Sequence, residues 1–186
     1  MSDFIGFLTF VFSWLLTFGY LACMTTGFAY FAWSKNVEEV NDWRCYATQD
    51  KSNTIPFTTD GPDEHDISTD FQLINNFGAV IFGIASLMFL YFTCTPRFSS
   101  STFVAQLFGC EACIWLIFFI TSQIFRFRHA GKVCSGDFLD GRWDFSKSAE
   151  APYLLQQGVF PWYACISQYF VIASFLTGMI AIETAR

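Results

Sequence analysis

The chain has 186 residues, a formal net charge of -6, and 53% hydrophobic against 14% charged residues. No basic stripe suits it to nucleic acid, and four long apolar runs with their connecting loops leave no length for a separate soluble domain. The runs are Phe4–Trp33, Phe71–Cys94, Thr102–Phe125 and Pro161–Ile182. Each supplies about the ~20 residues that a helix needs to cross a ~30 Å hydrocarbon core. They are apolar all round, where the helix of a soluble domain would keep a polar face. The sequence therefore predicts an all-α fold, a four-helix transmembrane bundle forming one membrane domain over residues 1–186. Its two long polar loops, 34–70 and 126–160, lie on one membrane face.

The start Met1-Ser2-Asp3 carries no positive charge, and the first run is too long for the core of a cleaved leader, so it reads as a span. Trp33 and Trp162 fall at the loop ends of the first and last runs, where tryptophan anchors at the interface. Phenylalanine, with 25 copies, fits lipid contact and bundle filling. Asn75 and Asn76, near the start of the second run, are candidates to cap it or to bond across helices. Pro161 suits the first turn of the last helix, where its missing N–H costs nothing.

The two long loops together hold thirteen acidic and eight basic residues. Asp60-Gly61-Pro62-Asp63-Glu64-His65-Asp66 is acidic but lacks the alternating oxygen ligands and closing Glu of a calcium loop, so a solvated loop is expected. Arg126, Arg128 and Lys132 are expected to carry the third helix past the membrane, their long side chains returning to headgroups. Cys134-Ser135-Gly136-Asp137 then reads as a turn, and Tyr153–Gly158 as a segment lying on the membrane surface.

Of the 7 cysteines, only Cys45 and Cys134 lie well outside the runs, one in each long loop. A bridge between them would tie the loops into one cap in an oxidising compartment. Cys94, at the end of the second run beside Pro96 and Arg97, is a palmitoylation candidate if that side is cytosolic.

Helices in lipid associate through close packing and interhelical hydrogen bonds, and small residues four apart mark such faces. These are Gly19, Cys23 and Gly27 in the first run, Ala79 and Gly83 in the second, Ala105, Gly109 and Cys113 in the third, and Ser174 and Gly178 in the last. Each face serves either packing within one bundle or contact between copies.

Glu111 is the one carboxylate deep in a run. Placing an acid there costs about 2.5–3.5 kcal/mol, so it must be protonated, paired or wetted. No Lys or Arg shares its depth, whereas Ser13, Thr17, Ser86, Ser174 and Thr177 do. A protonated carboxyl bonded to such hydroxyls is expected; an ion or proton site is the functional alternative. Cys110 and Cys113 flank Glu111 on one helical face but lack the four ligands of a structural zinc site, so no metal and no cofactor is expected. With His65 and His129 as its only histidines, and no GxSxG or HExxH, the chain is not expected to be an enzyme.

Orientation is contested. Lys35, Arg126, Arg128 and Lys132 flank the runs on the long-loop side, against Arg97 and Arg186 on the other, which alone would place the long loops in the cytoplasm. The loop cysteines, the acidic loops and the short tails favour long loops outside or lumenal, with cytoplasmic termini.

The short tails, the four spans, the short link after the second, and the run Arg126–Asp137 with Gly131-Lys132-Val133-Cys134-Ser135-Gly136-Asp137 resemble the MARVEL-type tetraspan membrane proteins. The resemblance implies a non-enzymatic protein that organises or shapes a membrane by lateral association with itself or with other membrane proteins. An ion channel or transporter using Glu111, and an accessory subunit of a larger membrane complex, are the other classes that the sequence allows.

Overall fold

A computed structural model of the protein describes residues 2–33, 44–57, 61, 63–94, 102–139 and 153–184. The described residues are mostly helical. In chain order the elements are α1 (Ser2–Trp33), β1 (Tyr46–Ala47), β2 (His65–Asp66), α2 (Ile67–Cys94), α3 (Thr102–Phe127), α4 (His129–Cys134) and α5 (Leu155–Thr184). Among the described residues, three helices are long and apolar enough to cross a membrane, over Val11–Ala32, Ile67–Tyr91 and Gly109–Phe127. No more than 33% of any of these stretches is buried within the chain. So much uncovered apolar surface is expected of a protein whose solvent is lipid, and it marks a membrane-spanning protein. In α5 the apolar stretch is described over Gly158–Ala173; the side chains of residues 174–184, Ser174 and Gly178 among them, lie outside the described residues.

The elements differ from the sequence expectation in four respects. The first long loop is not wholly irregular: β1 and β2 pair antiparallel, Tyr46 with Asp66 and Ala47 with His65, and Tyr46 also bridges Phe57. Helix α2 begins before Phe71, because Asp66 caps it. Its Oδ1 accepts the Thr69 N–H at 3.2 Å, supplying a partner for an N–H that the first turn leaves unpaired. Asn75 and Asn76 are therefore not caps. Asn75 is wholly buried, and its amide makes no hydrogen bond among the described residues; Asn76 is exposed. Helix α5 begins six residues before Pro161, so this proline sits inside a helix rather than in its first turn, buried where it interrupts one rung of the ladder. Tyr153–Gly158 does not form a separate surface segment either. Leu154 is buried, and the stretch runs into the first turn of α5.

The chain divides into two compact units. One comprises Met1–Ser34 and Leu73–Phe118, hence α1, most of α2 and the first part of α3. Its core is aromatic. Phe28, 1% exposed, stacks on Phe82 with ring centroids 5.6 Å apart and meets Phe118 edge-on at 5.5 Å. Such offset and edge-to-face pairs align the ring quadrupoles favourably. Gly78 lets Phe28 in: a Cβ there would lie 2.6 Å from the ring. Lower down, the Thr25 and Ser86 hydroxyls meet at 3.3 Å while each donates to its own helix. We expect Gly78→Ala to displace the Phe28 ring and lower stability by about 1–3 kcal/mol. Unfolding in detergent micelles would show this; an unchanged midpoint would mean that α1 and α2 do not meet there.

The other unit comprises Lys35–Gln72 and Phe119–Arg186. Its core gathers Cys45, Ala47, Ile67, Phe71, Ala130, Val133, Cys134, Leu154, Ala164 and Cys165. The short helix α4 packs against β1 and α5.

Candidate functional site: a cap knotted at the end of α3

Cys45 and Cys134 form a disulfide with Cα atoms 6.0 Å apart and a sequence separation of 89. Both residues are 0% exposed. Backbone bonds seat each of them. Cys45 donates its N–H to the Ser68 hydroxyl at 2.8 Å and accepts the Ile67 N–H at 2.9 Å. The Cys134 carbonyl accepts the Leu154 N–H at 2.8 Å. The bridge thus joins the foot of α2, the end of α4 and the approach to α5.

The chain turns sharply on leaving the third apolar run. Helix α3 stops at Phe127, Arg128 is extended with φ -60° and ψ 157°, and α4 starts at His129. Six residues later α4 closes in a Schellman motif. The Gly136 N–H donates to the Val133 carbonyl and the Asp137 N–H to the Lys132 carbonyl, both at 3.0 Å, and Gly136 takes a left-handed φ of 71°. Only glycine adopts that conformation without steric cost. The motif delivers Asp137 to Arg126. The guanidinium donates to both carboxylate oxygens, Nη1 to Oδ2 at 3.0 Å and Nη2 to Oδ1 at 2.8 Å, while Nε donates to the Gly158 carbonyl at 2.7 Å. Arg126 is 2% exposed. This corrects the sequence expectation for Arg126, whose side chain turns inward to a carboxylate instead of reaching for headgroups. A desolvated guanidinium needs most of its donors engaged, and a bidentate carboxylate plus a carbonyl does that.

Arg128 pairs with Asp70 of α2 and lies over the Phe125 ring, 5.0 Å from its centroid. Burial pushes its pKa down, though a guanidinium remains charged at any physiological pH. His129 Nε2 lies 2.7 Å from the Asn53 carbonyl and so serves as the donor, and its ring packs 5.3 Å from that of Phe138. In the turn that carries Asn53, the Ser52 backbone N–H and then its hydroxyl hold the Asp50 carboxyl below the usual range.

Two glycines permit the closest approaches. A Cβ on Gly131 would come 2.1 Å from the Phe125 carbonyl, and one on Gly158 would come 2.2 Å from Ser135 Oγ. Ser135 Oγ in turn donates to the Gly131 carbonyl at 2.7 Å. Nearly every residue type that stands out in Arg126–Asp137 therefore has a structural task. What sequence reasoning missed was the partners: Asp137 and Gly158 for Arg126, Asp70 for Arg128, Asn53 for His129, and Gly78 as the close-packing glycine of α2. The acidic stretch before α2 resolves in the same way. Asp66 caps the helix and pairs with Arg44 at 3.3 Å, and the Glu64 N–H donates to the Gly61 carbonyl at 3.1 Å. Asp60 and Pro62 lie outside the described residues.

The intramembrane residues fall differently. Glu111 is half-buried, and its buried Oε1 has no hydrogen-bond partner among the described residues. Of the expected hydroxyl partners, Thr17 donates to the Ser13 carbonyl and Ser86 to the Phe82 carbonyl, and the side chains of Ser174 and Thr177 lie outside the described residues. Cys110 and Cys113 are exposed, and no group of side chains among the described residues could hold a metal ion. Of the expected packing residues, Ala79 is buried and Gly83 faces Thr25 at 3.7 Å. A Cβ on Gly19 or Gly109 would meet nothing within 4 Å among the described residues, and Cys23 and Cys113 are exposed. Gly27 is part-buried, and the side chains of Ala105 and Trp33 lie outside the described residues. Cys94 is exposed at the end of α2. Lys35, Pro96, Arg97 and Arg186 lie outside the described residues.

No protein family, curated protein or solved structure matches this chain.

Proposed function

We propose that the chain is a non-enzymatic, MARVEL-like tetraspan protein that organises or shapes a membrane by lateral association with copies of itself. Its fourth span is α5, and its cap stands on the oxidising face, extracellular or lumenal, with cytoplasmic termini. The observation that carries this is the uneven use of its small residues. Gly78 and Gly83 of α2 are approached from α1, whereas a Cβ on Gly19 or Gly109 would meet nothing within 4 Å among the described residues of its own unit, and Cys23 and Cys113 are exposed. A glycine facing outward in lipid offers a neighbouring helix the close backbone approach that drives association there.

The buried disulfide supports the orientation, because such bridges persist in oxidising compartments. The opposing charge count weakens once Arg126 and Arg128 are each matched by a carboxylate. Native mass of the protein in its own lipid tests the association: an assembly of this chain alone supports it, and a monomer, or a fixed stoichiometry with other proteins, rejects it. Oxidative cross-linking is expected to join copies through Cys23 or Cys113, and Gly19→Leu with Gly109→Leu is expected to reduce that product.

A Glu111 Oε1 with no partner among the described residues favours a second reading, an ion or proton pathway. On the scaffold reading Glu111→Gln leaves assembly and folding unchanged, because the carboxyl is already neutral. Proton or cation flux in proteoliposomes that vanishes in this variant, with assembly intact, would move the assignment to a channel.

A further inference from the structure

The cap carries two apolar side chains that are exposed among the described residues. Ile55 is 67% exposed and Phe138 is 46% exposed. They come from distant parts of the chain, and each is tied to one residue, Phe138 by ring contact and Ile55 through Asn53. His129 bonds the Asn53 carbonyl on one side and packs on the Phe138 ring on the other, and Asn53 Oδ1 accepts the Ile55 N–H at 3.1 Å. The height of His129 follows from α3. The apolar stretch of that helix ends at Phe127, with Ile120 and Ile124 exposed along it. His129 follows two residues on, across the extended Arg128. A turn bound directly to His129 is therefore held close to the end of the apolar stretch. Lys51 in the same turn is exposed, while the Asp50 carboxylate beside it is occupied by Ser52.

We propose that the turn Asp50–Ile55 and Phe138 form a foot that rests in the lipid surface. Ile55 and Phe138 enter the boundary between headgroups and acyl chains, and Lys51 faces the phosphate layer. The partner is the phospholipid leaflet on the cap side. Apolar tips beside a cation are the pattern by which interfacial segments hold a bilayer without crossing it. The inference rests on the membrane-spanning reading, not on lateral association.

The test uses the full chain in phosphatidylcholine nanodiscs, with Cys23, Cys94, Cys110 and Cys113 changed to serine and the disulfide kept. A single environment-sensitive fluorophore is placed by Ile55→Cys, Phe138→Cys or, within the span, Ile120→Cys. We expect probes at 55 and 138 to emit to the blue, to lose about half their intensity to lipids bearing a nitroxide high on the acyl chain, and to resist aqueous iodide. Quenching by iodide but not by lipid would place the foot in water and overturn the proposal. Protection from both would mean that protein covers it, and would overturn it equally. The probe at 120 separates the two levels of inference: if it is quenched by lipid while 55 and 138 are not, the span stands and the foot falls; if none is quenched by lipid, the membrane-spanning reading itself fails.

Discussion

Replacing Arg126 with methionine is expected to cost about 3–5 kcal/mol of cap stability, the range for breaking one side of a buried ion pair. The loss has two parts. The Asp137 carboxylate keeps its shielded position but loses both donors, and the Gly158 carbonyl loses its only donor from α3. Little of this is the Coulomb energy of an exposed pair, because Arg126 is 2% exposed. Arg126→Lys is expected to recover only a minor part, since one ammonium cannot reproduce a bidentate fork plus a third bond at Nε. Asp137→Asn alone is expected to be milder, because it leaves Gly158 bonded. The double variant Arg126→Met with Asp137→Asn is expected to be less damaging than the sum of the two, the coupling measuring the pair. Hydrogen exchange gives the readout. The amides of Ile67 and Leu154, which bond to Cys45 and Cys134, report the cap, and the amides of α1 report the other unit. Protection lost at Ile67 and Leu154 with α1 unchanged is the expected result. Equal loss everywhere would mean that the cap is not a separate cooperative element.

This prediction could not have been written from the sequence, and the reason is physical. An arginine at the end of an apolar run has the same signature whether it reaches for headgroups or turns inward. The choice depends on where an acid eleven residues later is delivered. That delivery is made by a Schellman motif whose left-handed Gly136 is only a glycine among 12 in the sequence. The apolar runs, by contrast, were legible because span length and the absence of charge are local properties. Three of them reappear as helices able to cross a membrane. The Cys45–Cys134 pairing was legible by elimination, since every other cysteine fell within or at the end of a run. The close-packing glycine was harder. A search for small residues four apart selects Ala79 and Gly83, but the residue that admits Phe28 is Gly78, one position away on the same broad face. A ribbon of two residues per strand is too short to leave an alternating pattern. Pro161 was misplaced because proline is favoured at a helix start, and a proline six residues inside a helix looks the same in sequence. For Glu111 the cost of burial was legible, but its bonding was not, because Ser and Thr hydroxyls in lipid can turn back to their own helix as readily as across to a neighbour.

The disulfide should carry a comparable effect by a different route. Changing Cys45 and Cys134 together to alanine is expected to lower cap stability by about 2–5 kcal/mol, the usual loss for a native bridge in a small oxidised domain. The bridge closes a long loop, with a sequence separation of 89, so most of its effect on the chain-entropy account lies in the unfolded ensemble. The double alanine variant is more informative than Cys45→Ser. A serine would leave a hydroxyl in a site that is 0% exposed, adding a desolvation penalty that has nothing to do with the cross-link. Because the Ile67 and Leu154 amides bond to the cysteine backbones, their hydrogen bonds can survive the change, and their exchange rates then read the lost constraint directly. Reductant added to the folded wild-type protein is expected to act slowly, since neither sulfur is reachable until the cap opens. Arg126→Met should speed that reduction, because both features close the same short helix, α4. Independence of the two would show that ion pair and bridge stabilise separate pieces. A wild-type protein from its native membrane with no difference in mobility between reducing and non-reducing conditions would show that the bridge never forms there. That result would also remove the support it gives to a cap on the oxidising face.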